Sequence, residues 1–341
     1  IMGIAAFIMA DLLGLSYVRI IQAGLIPAVL FYFSVVVSVQ LLIYKFGWQT
    51  TRDVGDVEYG VFLEILWYVA PFVVLIYFLA YQQYTPLTSG YYATLTLIGF
   101  VAVKYLIEQR AAGVANAVKD TANGLKVGSE EMAPLLVILG AIGIIIAVFT
   151  QTGFAQRLNT LMISLAGGSV LLLLLLAMAV SLIFGLGMPA PAAYVLVASL
   201  AGAAMVRFGL QELVAHMFVF YFAMLASITP PIALAPAVTS KIAKADFVQT
   251  SISSMVLGLP LFVLPYVFAF NQSILQPSGL DTVVAFVSAF VGFIVLVFAI
   301  HGRSLDLRIW EYGDNRAIRA VVAVFGLAIV FTPFFLNGQV L

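Results

Sequence analysis

Two short stretches carry the residue types that could bind an ion or a charged solute. The first is GLGMPAP, Gly185 to Pro191; the second is SITPP, Ser227 to Pro231. Gly185 and Gly187 permit positive φ and close backbone approach. Pro189 and Pro191 remove amide donors, which frees carbonyls nearby from their helical partners. Unwound carbonyls are hard oxygen ligands suited to Na⁺. The chain that restarts after the break points a helix N-terminus, with its partial positive charge, at the tip, where an anion is stabilised. Met188 and Ala190 complete the first stretch. In the second, Pro230 and Pro231 free carbonyls again, while Ser227 and Thr229 add hydroxyls. Thr229 is the best side-chain ligand candidate; its competing role is to bond back to a carbonyl one turn earlier. The alternative for both stretches is a kink that only shapes packing.

Weaker candidates lie elsewhere. His216, in AHMFVFYF, has Tyr221 about a turn on; it could accept protons or touch substrate, or be a hydrogen-bonded core residue. Thr150, Thr152 and Gly153 form the polar break TQTGF. Glu64 sits a turn into an apolar stretch. Lys104 and Glu108 are spaced for a surface ion pair. GAIGIII (140–146) and AGG (166–168) read as close helix packing. His216 and His301 are far apart, neither belongs to a metal-spacing motif, and the absence of cysteine excludes thiol chemistry. No basic tract suits nucleic acid.

The elements that hold these stretches must be membrane helices. The chain is 64% hydrophobic and 9% charged, against about 25% charged in a soluble domain. Its apolar runs are mostly about 17–25 residues long, the length of a bilayer-spanning helix. The expected fold is an all-α integral membrane protein: a polytopic helical bundle with an inverted repeat, a re-entrant hairpin and discontinuous helices. A half-helix covers 1–15, followed by spans at 20–44, 61–81, 91–107 and 132–150. The polar stretch 108–131 reads as a helix lying along the interface. The hairpin limbs are 161–184 and 192–206. The second broken helix runs 213–228 and 232–244, with further spans at 247–270, 282–300 and 317–335. Gly and Pro in such helices survive only where the freed groups are buried in protein or line a polar cavity. Paired breaks of this kind point to a transporter's binding site.

Loop charge gives orientation. Lys and Arg cluster at 45–52, 104–126, 241–244 and 303–319, whereas the loops 82–90 and 271–279 have none. The first group is cytoplasmic and the second external. Crossings then close only if GLGMPAP is the tip of a hairpin with both ends outside and the SITPP helix crosses once; Arg157 and Arg207 would face outward. IMGIAAFIMADLLGLSYVRIIQAGLIP also resembles IALAPAVTSKIAKADFVQTSISSMVLGLP. Each is a small-residue half-helix, a polar turn, an aromatic (Tyr17, Phe247) and a long span with an early proline (Pro27, Pro260). Loop charge puts the first turn outside and the second inside, as an inverted repeat requires. Met2 and Gly3 then sit where the first repeat leaves its own break, and the start at Ile1 reads as a chain whose first-repeat hairpin lies upstream. The resulting division is 1–19, the end of the first broken helix; 20–107, scaffold spans; 108–131, an arm helix; 132–246, the second-repeat transport domain with hairpin (161–207) and broken helix (213–244); and 247–341, C-terminal spans.

An intramembrane protease would need GxSG, GxGD or a mid-span acid pair, and none occurs. A channel calls for polar rings and a structural subunit needs no breaks. A secondary transporter accounts for both breaks. GLGMPAPAAYVLVASLAG, AHMFVFYFAMLASITPPIALA and the opening IMGIAAFIMADLLGLSY resemble the large membrane subunit of TRAP (tripartite ATP-independent periplasmic) transporters, in particular the TAXI type with fused membrane subunits. The resemblance covers nearly the whole chain. It implies a permease, not an enzyme, in the bacterial or archaeal inner membrane. Organic acids such as C4-dicarboxylates would be imported by symport with Na⁺ or H⁺ through an elevator-like movement. It also implies two partners, a periplasmic substrate-binding protein and a small membrane subunit, separate or fused N-terminally. Where the family carries a threonine after GMP, this chain has Ala190, so an ion site must lean on carbonyls or on Thr229. The alternatives are an ion-coupled anion carrier without a binding protein and a non-transporting structural subunit.

Overall fold

The computed structural model describes residues 3–48, 59–109, 113–301 and 316–336. Met2 lies outside them, as do the side chains of Glu64 and Glu108. Among the described residues the fold is entirely helical, and six helices are long and apolar enough to cross a membrane.

Two compact units are present. One comprises Gly14–Arg19 and Thr50–Ile144, the other Ile1–Leu13, Ile20–Gln49 and Ile145–Leu341. In the first, α3 (Tyr59–Ala80) packs on α4 (Pro86–Gln109). The turn between them is held by Phe78, which stacks on Tyr84 and Tyr92 with ring centroids 5.4 and 4.6 Å away. Helix α5 (Gly113–Gln151) is a single helix of 39 residues with Pro134 inside it. The polar stretch 108–131 and the apolar span 132–150 are therefore one continuous rod from Gly113 on, not an arm and a separate span. The polarity changes at Glu131–Met132 within this one helix, with no break in its backbone.

The second unit begins with α1 (Ile4–Leu13) and α2 (Tyr17–Phe46). Then come α6 (Phe154–Ala166), α7 (Val170–Gly185), α8 (Ala190–Val197), a π-helical turn at Ala198–Gly202 and α9 (Ala203–Arg207). The hairpin limb expected at 161–184 is thus two helices. Gly167 and Gly168 take φ of 56° and 88°, and the Ser169 hydroxyl accepts from the Leu172 amide at 3.3 Å to start α7. AGG is this turn and not a packing surface. In GAIGIII, a Cβ on Gly140 or Gly143 would meet nothing within 4 Å, so no close packing is seen there either.

Helix α10 (Glu212–Leu225) continues as one 3₁₀ turn, Ala226–Ile228, and the chain restarts as α11 (Leu234–Ala243) and α12 (Phe247–Phe270). Helices α13 (Leu280–His301), α14 (Arg316–Val330) and α15 (Thr332–Leu336) complete the unit, with Phe331 dividing the span expected at 317–335. Helix α13 lies against α2, where Phe33 and Phe290 stack at 4.1 Å. Glycine at 292 lets α14 approach: a Cβ there would sit 2.8 Å from the Gly326 carbonyl.

The two segments that resemble each other in sequence match in backbone at a constant offset. Gly3 and Ala233 both take positive φ, 57° and 41°, immediately before a ten-residue helix. Gly14 and Lys244 both take positive φ just after it, 61° and 51°. Ser16 and Asp246 then cap the next helix, accepting from the amides of Arg19 at 3.4 Å and Gln249 at 2.9 Å. Within the ten-residue helices the buried pairs Ala6/Ala10 and Pro236/Ser240 fall in the same register.

Candidate functional site

The hairpin tip is set by where prolines cannot donate. A helical carbonyl is bonded by the amide four residues on. Pro189 therefore strips Gly185, and Pro191 strips Gly187. Gly185 O accepts a long bond, 3.4 Å, from the Met188 amide. Leu186 turns extended and Gly187 goes to φ 76°, carrying the chain across the tip. Pro189 then caps α8: its carbonyl takes the first bond of the new helix, from Ala193 N at 3.0 Å. The amides of Ala190 and Ala192 lie upstream of that bond, in the first turn, where a helix presents donors to an anion. Ala190 thus contributes its backbone, with a methyl in place of a hydroxyl.

The second break follows the same logic. Pro230 strips Ala226, whose carbonyl instead accepts from Thr229 N at 3.2 Å, and Pro231 strips Ser227. The Pro230–Pro231 peptide is cis. Ala233 at φ 41° starts α11 and receives its first bond from Ala237 N at 2.9 Å. Thr229 Oγ1 donates to Leu225 O at 2.8 Å, and Ser227 Oγ donates to Met224 O at 2.7 Å. The back-bonding role is thus present. It uses the hydroxyl protons and leaves the oxygen lone pairs for an acceptor role. Ser227, Thr229 and Pro230 are half-buried, as are Met188, Pro189 and Ala190.

The two breaks touch. A Cβ on Gly185 would lie 2.8 Å from the Ala226 Cβ and 3.5 Å from the Ala223 Cα; one on Gly187 would lie 3.3 Å from Ile232 Cδ1. Gly185 is the point where α7 meets the second break, and Gly187 faces the residue just past Pro231. A residue on α12 completes the fit: a Cβ on Gly258 would come 2.8 Å from Ile228 Cδ1. Sequence reasoning passed over Gly258, and its one available signal was a lone glycine inside an apolar span.

The remaining candidates go elsewhere. His216 Nδ1 is 2.7 Å from Tyr194 Oη, linking α10 to α8. A Cβ on Gly202, in the π-helical turn, would be 3.8 Å from His216 Nε2. Thr229 is 13 residues further along, about 20 Å at 1.5 Å per residue, so His216 belongs to the limb–helix seam. Tyr221 is buried edge-on against Phe268 at 5.5 Å and Phe31 at 6.5 Å. Thr150 and Thr152 are exposed and donate to Ile146 O at 2.8 Å and Val148 O at 2.7 Å. Their break lies near the hairpin tip all the same, because Phe149 meets Phe184 edge-on at 6.4 Å. Gly3 opens α1, which packs on α8 and α10. Among the described residues, no group of three or more His, Cys, Asp and Glu could hold a metal ion.

Two helix breaks thus touch, and each sets proline-stripped carbonyls beside a helix start. The family model for the DctM component of the tripartite ATP-independent periplasmic transporters matches residues 1–276. The chain belongs to this DctM family. No curated protein and no solved structure matches it. As a DctM protein it is a multi-pass membrane permease component and not an enzyme. The family works with a periplasmic binding protein and a small membrane subunit. Helices α13 to α15 lie beyond the matched residues.

Proposed function

We propose that this DctM protein imports an organic acid, a carboxylate of the C4-dicarboxylate kind, together with Na⁺ at the two touching breaks. The observation that carries the reading is the contact at Gly185 and Ala226. In this reading one site shares the carbonyls of Gly187 and Ser227, which prolines deprive of helical donors, with the first-turn amides of α8. Carbonyls and the Thr229 oxygen suit a hard cation, while amides at a helix start suit a carboxylate. Neither break contains Asp or Glu, so neutral oxygens and a cation fit better than a carried proton. In this reading the substrate arrives from a periplasmic binding protein. The small membrane subunit is fused to the N-terminal side as in the TAXI type. The hairpin and broken helix move together as an elevator.

Uptake of labelled organic acids into proteoliposomes tests this. The permease, its small subunit and its binding protein are reconstituted, and inward Na⁺, K⁺ and proton gradients are imposed in turn. Accumulation is expected with Na⁺ and binding protein together. Equal accumulation under a proton gradient without Na⁺, or without the binding protein, would overturn the coupling or the delivery step respectively.

A further inference from the structure

A cleft of about 930 Å³ lies between α4 and α5, wholly within the first compact unit. Its two walls share one polarity gradient. Along α4 the lining passes from Leu97 and Val101 to Lys104, Tyr105 and Gln109; along α5 it passes from Leu136 and Met132 back to Asp120. The polar end is closed. Tyr105 Oη donates to Asp120 Oδ2, and Asn116 Nδ2 donates to Gln109 Oε1 at 2.7 Å. The α5 wall is flattened by Gly124 and Gly128, where a Cβ would meet nothing within 4 Å. From Thr94 to Gln109 the groove runs 15 residues, about 22 Å at 1.5 Å per residue. One leaflet of a bilayer with its headgroups is about 20–22 Å thick.

We propose that this cleft binds one phospholipid of the cytoplasmic leaflet, with a headgroup carrying both a phosphate and a primary ammonium. The Lys104 ammonium takes the phosphate, the Asp120 carboxylate takes the amine, and the acyl chains lie along Leu97, Val101 and Leu136. Orientation agrees with this, because Lys104 belongs to the basic stretch that loop charge puts on the cytoplasmic side. A closed polar end also favours a lipid over a partner helix. A helix crossing the bilayer would have to stop at the Tyr105–Asp120 bond, whereas a lipid ends there in its headgroup.

Native mass spectrometry of the permease complex, released in mild detergent, tests the site. Phosphatidylethanolamine should be retained, and after delipidation it should rebind at least tenfold better than phosphatidylglycerol. Asp120→Asn should erase that preference, and Lys104→Ala should lower retention of both lipids about tenfold. Gly128→Leu, which favours the helix while filling the groove, should abolish retention. Unchanged lipid binding in Gly128→Leu overturns the site; binding lost there but kept in full by Lys104→Ala overturns the headgroup assignment. A photocrosslinker placed at position 128 of the otherwise native complex should capture lipid. Capture of a peptide of the small subunit would overturn the lipid and assign the cleft to that partner.

Discussion

Gly185 and Gly187 sit two residues apart and are required for different reasons. Gly185 is buried where α7 touches Ala226, so any Cβ collides; Gly187 is held at φ 76°, where any L side chain is strained. Gly185→Ala should therefore separate the breaks by a few tenths of an ångström, at about 1–3 kcal/mol of overpacking. Uptake in proteoliposomes should fall at least tenfold at normal membrane levels; full uptake would mean that the contact is not used. Thr229 allows a sharper test. Thr229→Ser keeps the oxygen and its bond to Leu225, and should leave the Na⁺ dependence of uptake within about twofold. Thr229→Val removes the oxygen and should raise the Na⁺ concentration for half-maximal uptake about tenfold, the effect of about 1.4 kcal/mol. Equal Na⁺ curves for the two variants would remove Thr229 from the ion site. The residue types at both breaks were legible in the sequence because Pro and Gly act on the backbone directly. The pairing of Tyr194 with His216 was not, since 22 residues of chain separate them and only the packed hairpin brings them together.

Helix breaks follow backbone chemistry, whereas polarity follows surroundings, and the elements differ in which of the two they reveal. The division drawn at Glu131–Met132 followed polarity and cut through the continuous α5. The limb drawn through 161–184 followed apolar character and missed the positive-φ pair Gly167–Gly168 that ends α6. The π-helical turn at Ala198–Gly202 left no trace in composition, its residues being small and apolar like their neighbours. The repeat fared better because its marks are turns and caps. At its four matched positive-φ positions, the first segment has Gly3 and Gly14, but the second has Ala233 and Lys244. A non-glycine residue in that conformation costs about 1–2 kcal/mol. Ala233→Gly and Lys244→Gly should each raise stability by roughly 1 kcal/mol, after the added freedom of the unfolded chain is subtracted. Thermal unfolding in detergent would register this as a higher midpoint, and a lower midpoint in both variants would show that the turns are held by contacts of the native side chains. Ala233 lies beside the second break, so gained stability with lost uptake would mean that strain there serves the carrier cycle.

Many carriers that open alternately to the two sides are built from two related halves facing opposite ways, and in this molecule the related segments are α1 and α11. Their turns and caps match at one offset, which makes Asp11 and Lys241 equivalent positions. Both side chains are exposed, so replacing either leaves the packing intact. Loop charge assigns the end of α1 to the outside and the end of α11 to the cytoplasm. The chain contains no cysteine, and single-cysteine labelling therefore starts without background. Asp11→Cys should react with a membrane-impermeant maleimide in right-side-out vesicles and be protected in inside-out ones; Lys241→Cys should show the reverse. A third position, Gln211→Cys at the exposed start of α10, should follow Asp11 if the hairpin returns to the outer side. Labelling of positions 11 and 241 from the same side would make the repeat parallel, and the exchange between two oppositely facing halves related by a pseudo-two-fold axis would lose its structural basis. Labelling of 211 with 241 would turn the hairpin into a full crossing, and the touching breaks would then have to be reached by another route through the bilayer.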